Sequence, residues 1–237
     1  MKVALIAGGQ PRFTRSFYIL MEQLLGFDQA DLYMCLWKTP AAVDSESARS
    51  QIEPMLLPRY NLKRLKVIDQ PEFEMPPHNR AYDFEERESL GWWYKRRRGM
   101  WESIRQAYDL IEDDYDMIIK FRPDGRLDRI VDVNQYSNQE LVFPSNHRNG
   151  LADMKICDQF VFGTQQGLKF YTSLIDHFND YIPQVYTDWE GDLHEWSSEH
   201  LLGHHLLVNK KTQTVGDYQH LLRVDGISPF DDKHWRG

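Results

Sequence analysis

Apolar residues fall along this chain in short unbroken runs separated by stretches that repeat every three or four positions, as expected of strands interleaved with helices. The run over residues 3–7 predicts a buried strand. It opens into GGQPR, after which Phe17, Leu20, Met21, Leu24 and Leu25 recur at helical spacing. A second run, 31–37, predicts another strand, and a polar, helix-compatible segment near 44–57 leads to a short strand at 65–68. Over 71–88 the pattern breaks around Pro71, Pro76 and Pro77, so a loop is expected there. The clearest helix follows: Leu90, Trp93, Tyr94, Arg97, Met100, Trp101, Ile104, Ala107, Tyr108 and Ile111 step by three and four along one face. It runs into a strand that ends near Arg122. Beyond it, 140–143 and 156–163 predict strands, and a helix begins near Thr164. Another helix covers 197–208, and short strands are expected near Val215 and over 221–224.

Alternation that is regular early and mixed later predicts an α/β fold: one Rossmann-like domain over 1–237 with a mostly parallel central sheet flanked by helices. In such folds the ligand lies beyond the carboxyl ends of the strands. Two loops sit at such ends, and both carry unusual residues.

In DYDMIIKFRPDGRLDR an apolar run stops abruptly at Arg122, Pro123, Asp124, Gly125, Arg126 and Asp128. Asp124 and Asp128 are suited to hold a hard divalent cation through oxygen, and Arg122, Arg126 and Arg129 offer planar forks that match phosphate oxygens. Pro123 restrains Arg122 toward extended geometry and Gly125 permits a turn. The first loop, AGGQPR, is either a phosphate-binding turn with Arg12 as anion ligand or a tight strand-to-helix connection. It lacks both the Lys-Ser/Thr ending of a P-loop and the spacing of a dinucleotide fingerprint.

Composition narrows the partners. A net charge of −8 argues against general nucleic-acid binding, so an anion site must be local. Two cysteines, Cys35 and Cys157, make no disulfide framework, which points to a reduced, cytoplasmic setting. No run approaches the roughly 20 apolar residues of a membrane span, and the apolar start before Gly8 is too short for a signal peptide. The basic patch Lys95, Arg96, Arg97 and Arg98 should be mostly solvated. Arg97 is the exception, because it falls on the apolar stripe and must either pair with a buried carboxylate or reach into a ligand cleft.

The order of VALIAGGQPRF, ADLYMCLW, YDMIIKFRPDGRLD, ICDQFVFGTQQGLKFY and SSEHLLGHHL resembles GT-A type glycosyltransferases that use nucleotide-diphospho-sugars, in particular a divergent bacterial and viral group linked to surface polysaccharide synthesis. The resemblance spans most of residues 1–208. It implies a UDP- or GDP-linked sugar donor and a carbohydrate acceptor, with 1–130 as the nucleotide-binding half and 131–237 as the acceptor-side half. It also implies donor contacts from Gly8, Gly9, Arg12, Arg97, Arg122, Asp124 and Arg126. A manganese or magnesium ion would be held by Asp124, with Asp128 and either His220 or His234. The sequence departs from the family's Asp-x-Asp because position 122 is Arg, which places metal dependence in question.

Two carboxylates are candidates for catalysis. Asp158 interrupts an apolar run and needs a partner or a task, and Glu199 opens a helix, where the macrodipole alone would favour it. Either could take a proton from an acceptor hydroxyl. The His200 and His204 pair is not HExxH, so a zinc site is not expected. Other activities compatible with these residues are a sugar-nucleotide-forming nucleotidyltransferase and a noncatalytic carbohydrate or nucleotide-binding module.

Overall fold

A computed structural model describes residues 1–13, 15–40, 42–73, 84–145, 156–181 and 198–222. In chain order the first half comprises β1 (Val3–Gly9), α1 (Arg15–Gln23), β2 (Leu24–Leu25), β3 (Ala30–Trp37), α2 (Ser45–Ile52), β4 (Tyr60–Ile68), α3 (Phe84–Asp109) and β5 (Met117–Lys120). Next come β6 (Gly125–Leu127), β7 (Val131–Asp132), β8 (Val142–Phe143), β9 (Val161–Gly163), α4 (Gln165–Thr172), α5 (Ser198–Val208), β10 (Thr214–Val215) and β11 (His220–Leu222).

Seven strands form one sheet in the order β10-β8-β9-β5-β1-β3-β4, drawn from both halves of the chain. The pairs β1–β3, β1–β5 and β3–β4 are parallel. β9 runs antiparallel between β5 and β8, and β10 is parallel to β8. The result is a mostly parallel, Rossmann-like α/β sheet with helices on both faces.

Strand periodicity divides the core in two. Val3, Leu5 and Ala7 face one way, onto Phe17 and Leu20 of α1 and Ala48 and Ile52 of α2. Ala4 and Ile6 face the other way, into a cluster with Trp101 and Ile104 of α3, Leu168 and Tyr171 of α4 and Leu201 of α5. The chain therefore winds from β1 to β4 with α1 and α2 on one face. α3 then returns across the opposite face to deliver β5 beside β1. That reversal opens a crevice at the carboxyl ends of β1 and β5, where ligands of such sheets bind.

Several boundaries differ from those the sequence predicts. β4 begins at Tyr60, earlier than expected, because Lys63, Arg64 and Lys66 interrupt its apolar pattern; charges of this kind are usual on an edge strand. α3 begins at Phe84, inside the interval read as a loop, and 74–83 lie outside the described residues. Leu24 and Leu25 leave α1 and pair with Val131 and Asp132 of β7. Residues 156–160 are not in the sheet, and β9 starts only at Val161. The Asp158 carbonyl is taken by side chains, Lys120 Nζ and Tyr171 Oη, in place of a strand partner. No helix among the described residues is long and apolar enough to cross a membrane.

Candidate active site

The turn after β1 is shaped by two different demands. A Cβ on Gly8 would lie 2.5 Å from backbone atoms of Ser103 and Ile104, so its absence lets α3 press against the strand end. Gly9 has φ +97°, a left-handed conformation that favours glycine. The chain then turns through Gln10 and Pro11 and presents Arg12, whose Nη2 donates to Gln10 Oε1.

Opposite, β5 ends at Lys120 and the Arg122 to Gly125 turn closes with Gly125 N–H donating to the Arg122 carbonyl at 3.0 Å. Arg122 folds back on Asp124 in a two-pronged pair, Nε to Oδ1 at 2.7 Å and Nη2 to Oδ2 at 2.7 Å. Arg12 Nη1 stands 3.7 Å from the same Oδ2. Burial pushes the Asp124 carboxyl up, but Arg122 and Arg12 outweigh it and hold the group below its ordinary value.

Between these loops lies a cleft of about 290 Å³. Among the described residues its lining includes Gly8, Gly9, Gln10, Arg12, Trp37, Arg96, Arg97, Met100, Arg122, Pro123, Asp124, Asp158, Ser198 and Glu199. Five separate elements thus deliver four guanidiniums and three carboxylates to one opening. Arg96 is held below its ordinary value by burial and then by the charges of Arg12 and Arg122. Arg97 is also lowered by burial, which outweighs the opposing pull of Glu199 and Asp158.

Comparison with family models and with curated proteins found no match to this chain.

Another part of the lining is built on Asp158, which is 4% exposed. Its backbone carbonyl accepts from Lys120 Nζ and from Tyr171 Oη at 2.8 Å, so two side chains anchor the residue from beneath. Its carboxylate hydrogen-bonds to the Ser198 side chain at the start of α5, and α5 is tied down by Ile156 N–H donating to the Glu199 carbonyl at 3.2 Å. Among the described residues Asp158 Oδ1 is buried without a hydrogen-bond partner. Burial, then the neighbouring Glu199, pushes the Asp158 carboxyl up to about 6 against the opposing charges of Lys120 and Arg122. Lys120, fully enclosed, is pushed down to about 8 by burial.

The cleft brings together eight residues expected at the site: Gly8, Gly9, Arg12, Arg97, Arg122, Asp124, Asp158 and Glu199. Arg126 does not join them; it lies on β6, which pairs with β11. Asp128 also lies apart, donating its backbone N–H to the Gln219 carbonyl at 2.9 Å and accepting Gln219 N–H on Oδ1 at 2.7 Å. His220 is buried behind the turn, stacked on Phe160, with its ring where a Gly125 Cβ would fall. His234 lies outside the described residues.

A divalent cation does not fit this donor set. Both oxygens of Asp124 are bound by Arg122, Asp128 is elsewhere, and no three His, Cys, Asp or Glu among the described residues converge on a point that could hold a metal. A dication beside Asp124 would also meet repulsion of several kcal/mol from each nearby guanidinium.

Sequence reasoning missed Gln10, Trp37, Arg96, Met100 and Ser198. Arg96 was expected in solvent, yet it sits one turn before Met100 on the same helical face, a spacing that could have marked it. The carbonyl anchors Lys120 and Tyr171 carried no signal, because their task is set by a segment distant in sequence. Tyr94, expected in the core, is buried and donates to Asn179.

Proposed function

We propose that this chain is a glycosyltransferase of GT-A type that moves a sugar from a nucleoside-diphosphate donor to an acceptor hydroxyl, as in glycan assembly. One observation supports it above the others: a cluster of guanidiniums and a buried carboxylate whose proton affinity is raised line one cleft at the carboxyl edge of the sheet. The guanidiniums suit a diphosphate leaving group, and Asp158 suits an acceptor hydroxyl. Trp37 and Met100 supply apolar surface for a base or a sugar face.

In this reading the acceptor oxygen attacks the anomeric carbon as the bond to the diphosphate breaks. The electron pair of that bond passes to the phosphate oxygen, where Arg12, Arg96 and Arg122 stabilise the growing charge. The hydroxyl proton passes to the Asp158 carboxylate. Glu199, by its charge, keeps Asp158 basic enough to accept it. Attack from the face opposite the leaving group inverts the anomeric centre. The two buried, unbridged thiols, Cys35 and Cys157, agree with a reducing, cytoplasmic setting.

Incubation with UDP- and GDP-linked sugars and mixed oligosaccharide acceptors should release free nucleoside diphosphate in an acceptor-dependent manner. Pyrophosphate release from a nucleoside triphosphate and a sugar phosphate would replace this reading with nucleotidyl transfer.

A further inference from the structure

We propose that the cleft binds the donor's diphosphate through guanidinium groups alone, with no divalent cation bridging protein and phosphate. The inference rests on the glycosyltransferase reading and specifies how its donor is held.

A bridging cation needs carboxylate oxygens that are open to it and several oxygen ligands around it. Here the carboxylate at the strand end is already occupied. Arg122 binds Asp124 through both oxygens at 2.7 Å, and Arg12 stands 3.7 Å away on the same carboxylate. Asp124, 5% exposed, therefore serves to orient arginines. The Arg122 pair uses Nε and Nη2, which turns the Nη1 edge of the fork away from Asp124. Residue 122 is an arginine, so the end of β5 sets a cation beside Asp124 and no second carboxylate.

The neighbours point the same way. Arg12 from the turn after β1, Arg96 from α3 and Arg122 from the end of β5 line the same cleft, close enough that, after burial, the first and third disfavour the charge on Arg96. Asp124 offsets part of this gathered positive charge, and a bound diphosphate would offset more of it. Departure of the sugar adds a negative charge to the diphosphate, so this cluster stabilises the leaving group more than the intact donor. A nucleoside diphosphate should accordingly bind more tightly than its sugar conjugate.

The test is calorimetric titration of chelator-treated protein with UDP, GDP, ADP and CDP, repeated with excess manganese or magnesium. At least one nucleotide is expected to bind with Kd changed less than about tenfold by the cation, and Arg96→Gln to weaken it at least about tenfold in both conditions. Binding that appears only with the cation, or tightens more than about tenfold with it, overturns the inference while leaving the nucleotide reading intact. Wild-type affinity in a folded Arg96→Gln protein overturns the guanidinium cradle. No binding of any nucleotide in either condition removes the glycosyltransferase reading itself, and the inference with it.

Discussion

Asp124 and Asp158 are both buried and both line the cleft, yet their surroundings drive their carboxyl groups in opposite directions. Asp124 sits in the fork of Arg122 with Arg12 beside it, and its charged form is favoured despite burial. Asp158 is buried beside Glu199 with one oxygen lacking a partner among the described residues, and burial first, then the Glu199 charge, disfavours its charged form. Two aspartates with separated proton affinities can take separate tasks, one as a fixed charge and one as a proton acceptor. Burial raises both carboxyls, and only at Asp124 do hydrogen-bonded and neighbouring guanidiniums outweigh it.

The sharpest way to break this contrast is Asp158→Asn. Turnover should fall roughly a thousandfold, while nucleoside diphosphate affinity by calorimetry and the far-UV spectrum stay near wild type. Equal losses of turnover and affinity would deny Asp158 its separate task.

Asp124→Ala should act on the other side. Release of the Arg122 fork is expected to weaken nucleoside diphosphate binding about tenfold and to lower stability in urea by about 2 kcal/mol, because a half-buried guanidinium loses its partner.

The pH dependence carries opposite signs for the two groups. The turnover should fall as pH drops through about 6, where Asp158 takes up its proton, and Glu199→Gln should move that acidic limb to lower pH by removing the like charge. For stability, the raised Asp158 pKa means that its contribution declines as pH rises from the unfolded value near 3.9 toward about 6. Asp124 is the reverse: its contribution is present above about 3.9 and is lost as pH falls through its lower folded value. Urea denaturation of Asp158→Asn relative to the parent should therefore look more favourable near pH 7 than near pH 5.

The smallest effect is expected from Tyr171→Phe, which removes one of the two donors on the Asp158 carbonyl. Stability in urea should drop by about 1 kcal/mol, with nucleotide affinity unchanged.

The sequence by itself determined the alternation of strands and helices, and with it a mostly parallel sheet whose loop-bearing edge holds the cleft. Apolar periodicity records which face of each element must leave water, so β1, β3, α3 and β5 were legible. It also isolated Arg97 and Asp158, since a charge on an apolar stripe or run costs free energy unless something answers it. Only the tertiary structure decided what answered. The fork of Arg122 on Asp124, the exclusion of Asp128 and His220, the arrival of Arg96 and the anchoring of Asp158 by Lys120 and Tyr171 all depend on how loops close in space. Hydrophobic patterning carries one-dimensional information about burial, whereas charge pairing depends on distances of a few ångströms between segments far apart along the chain.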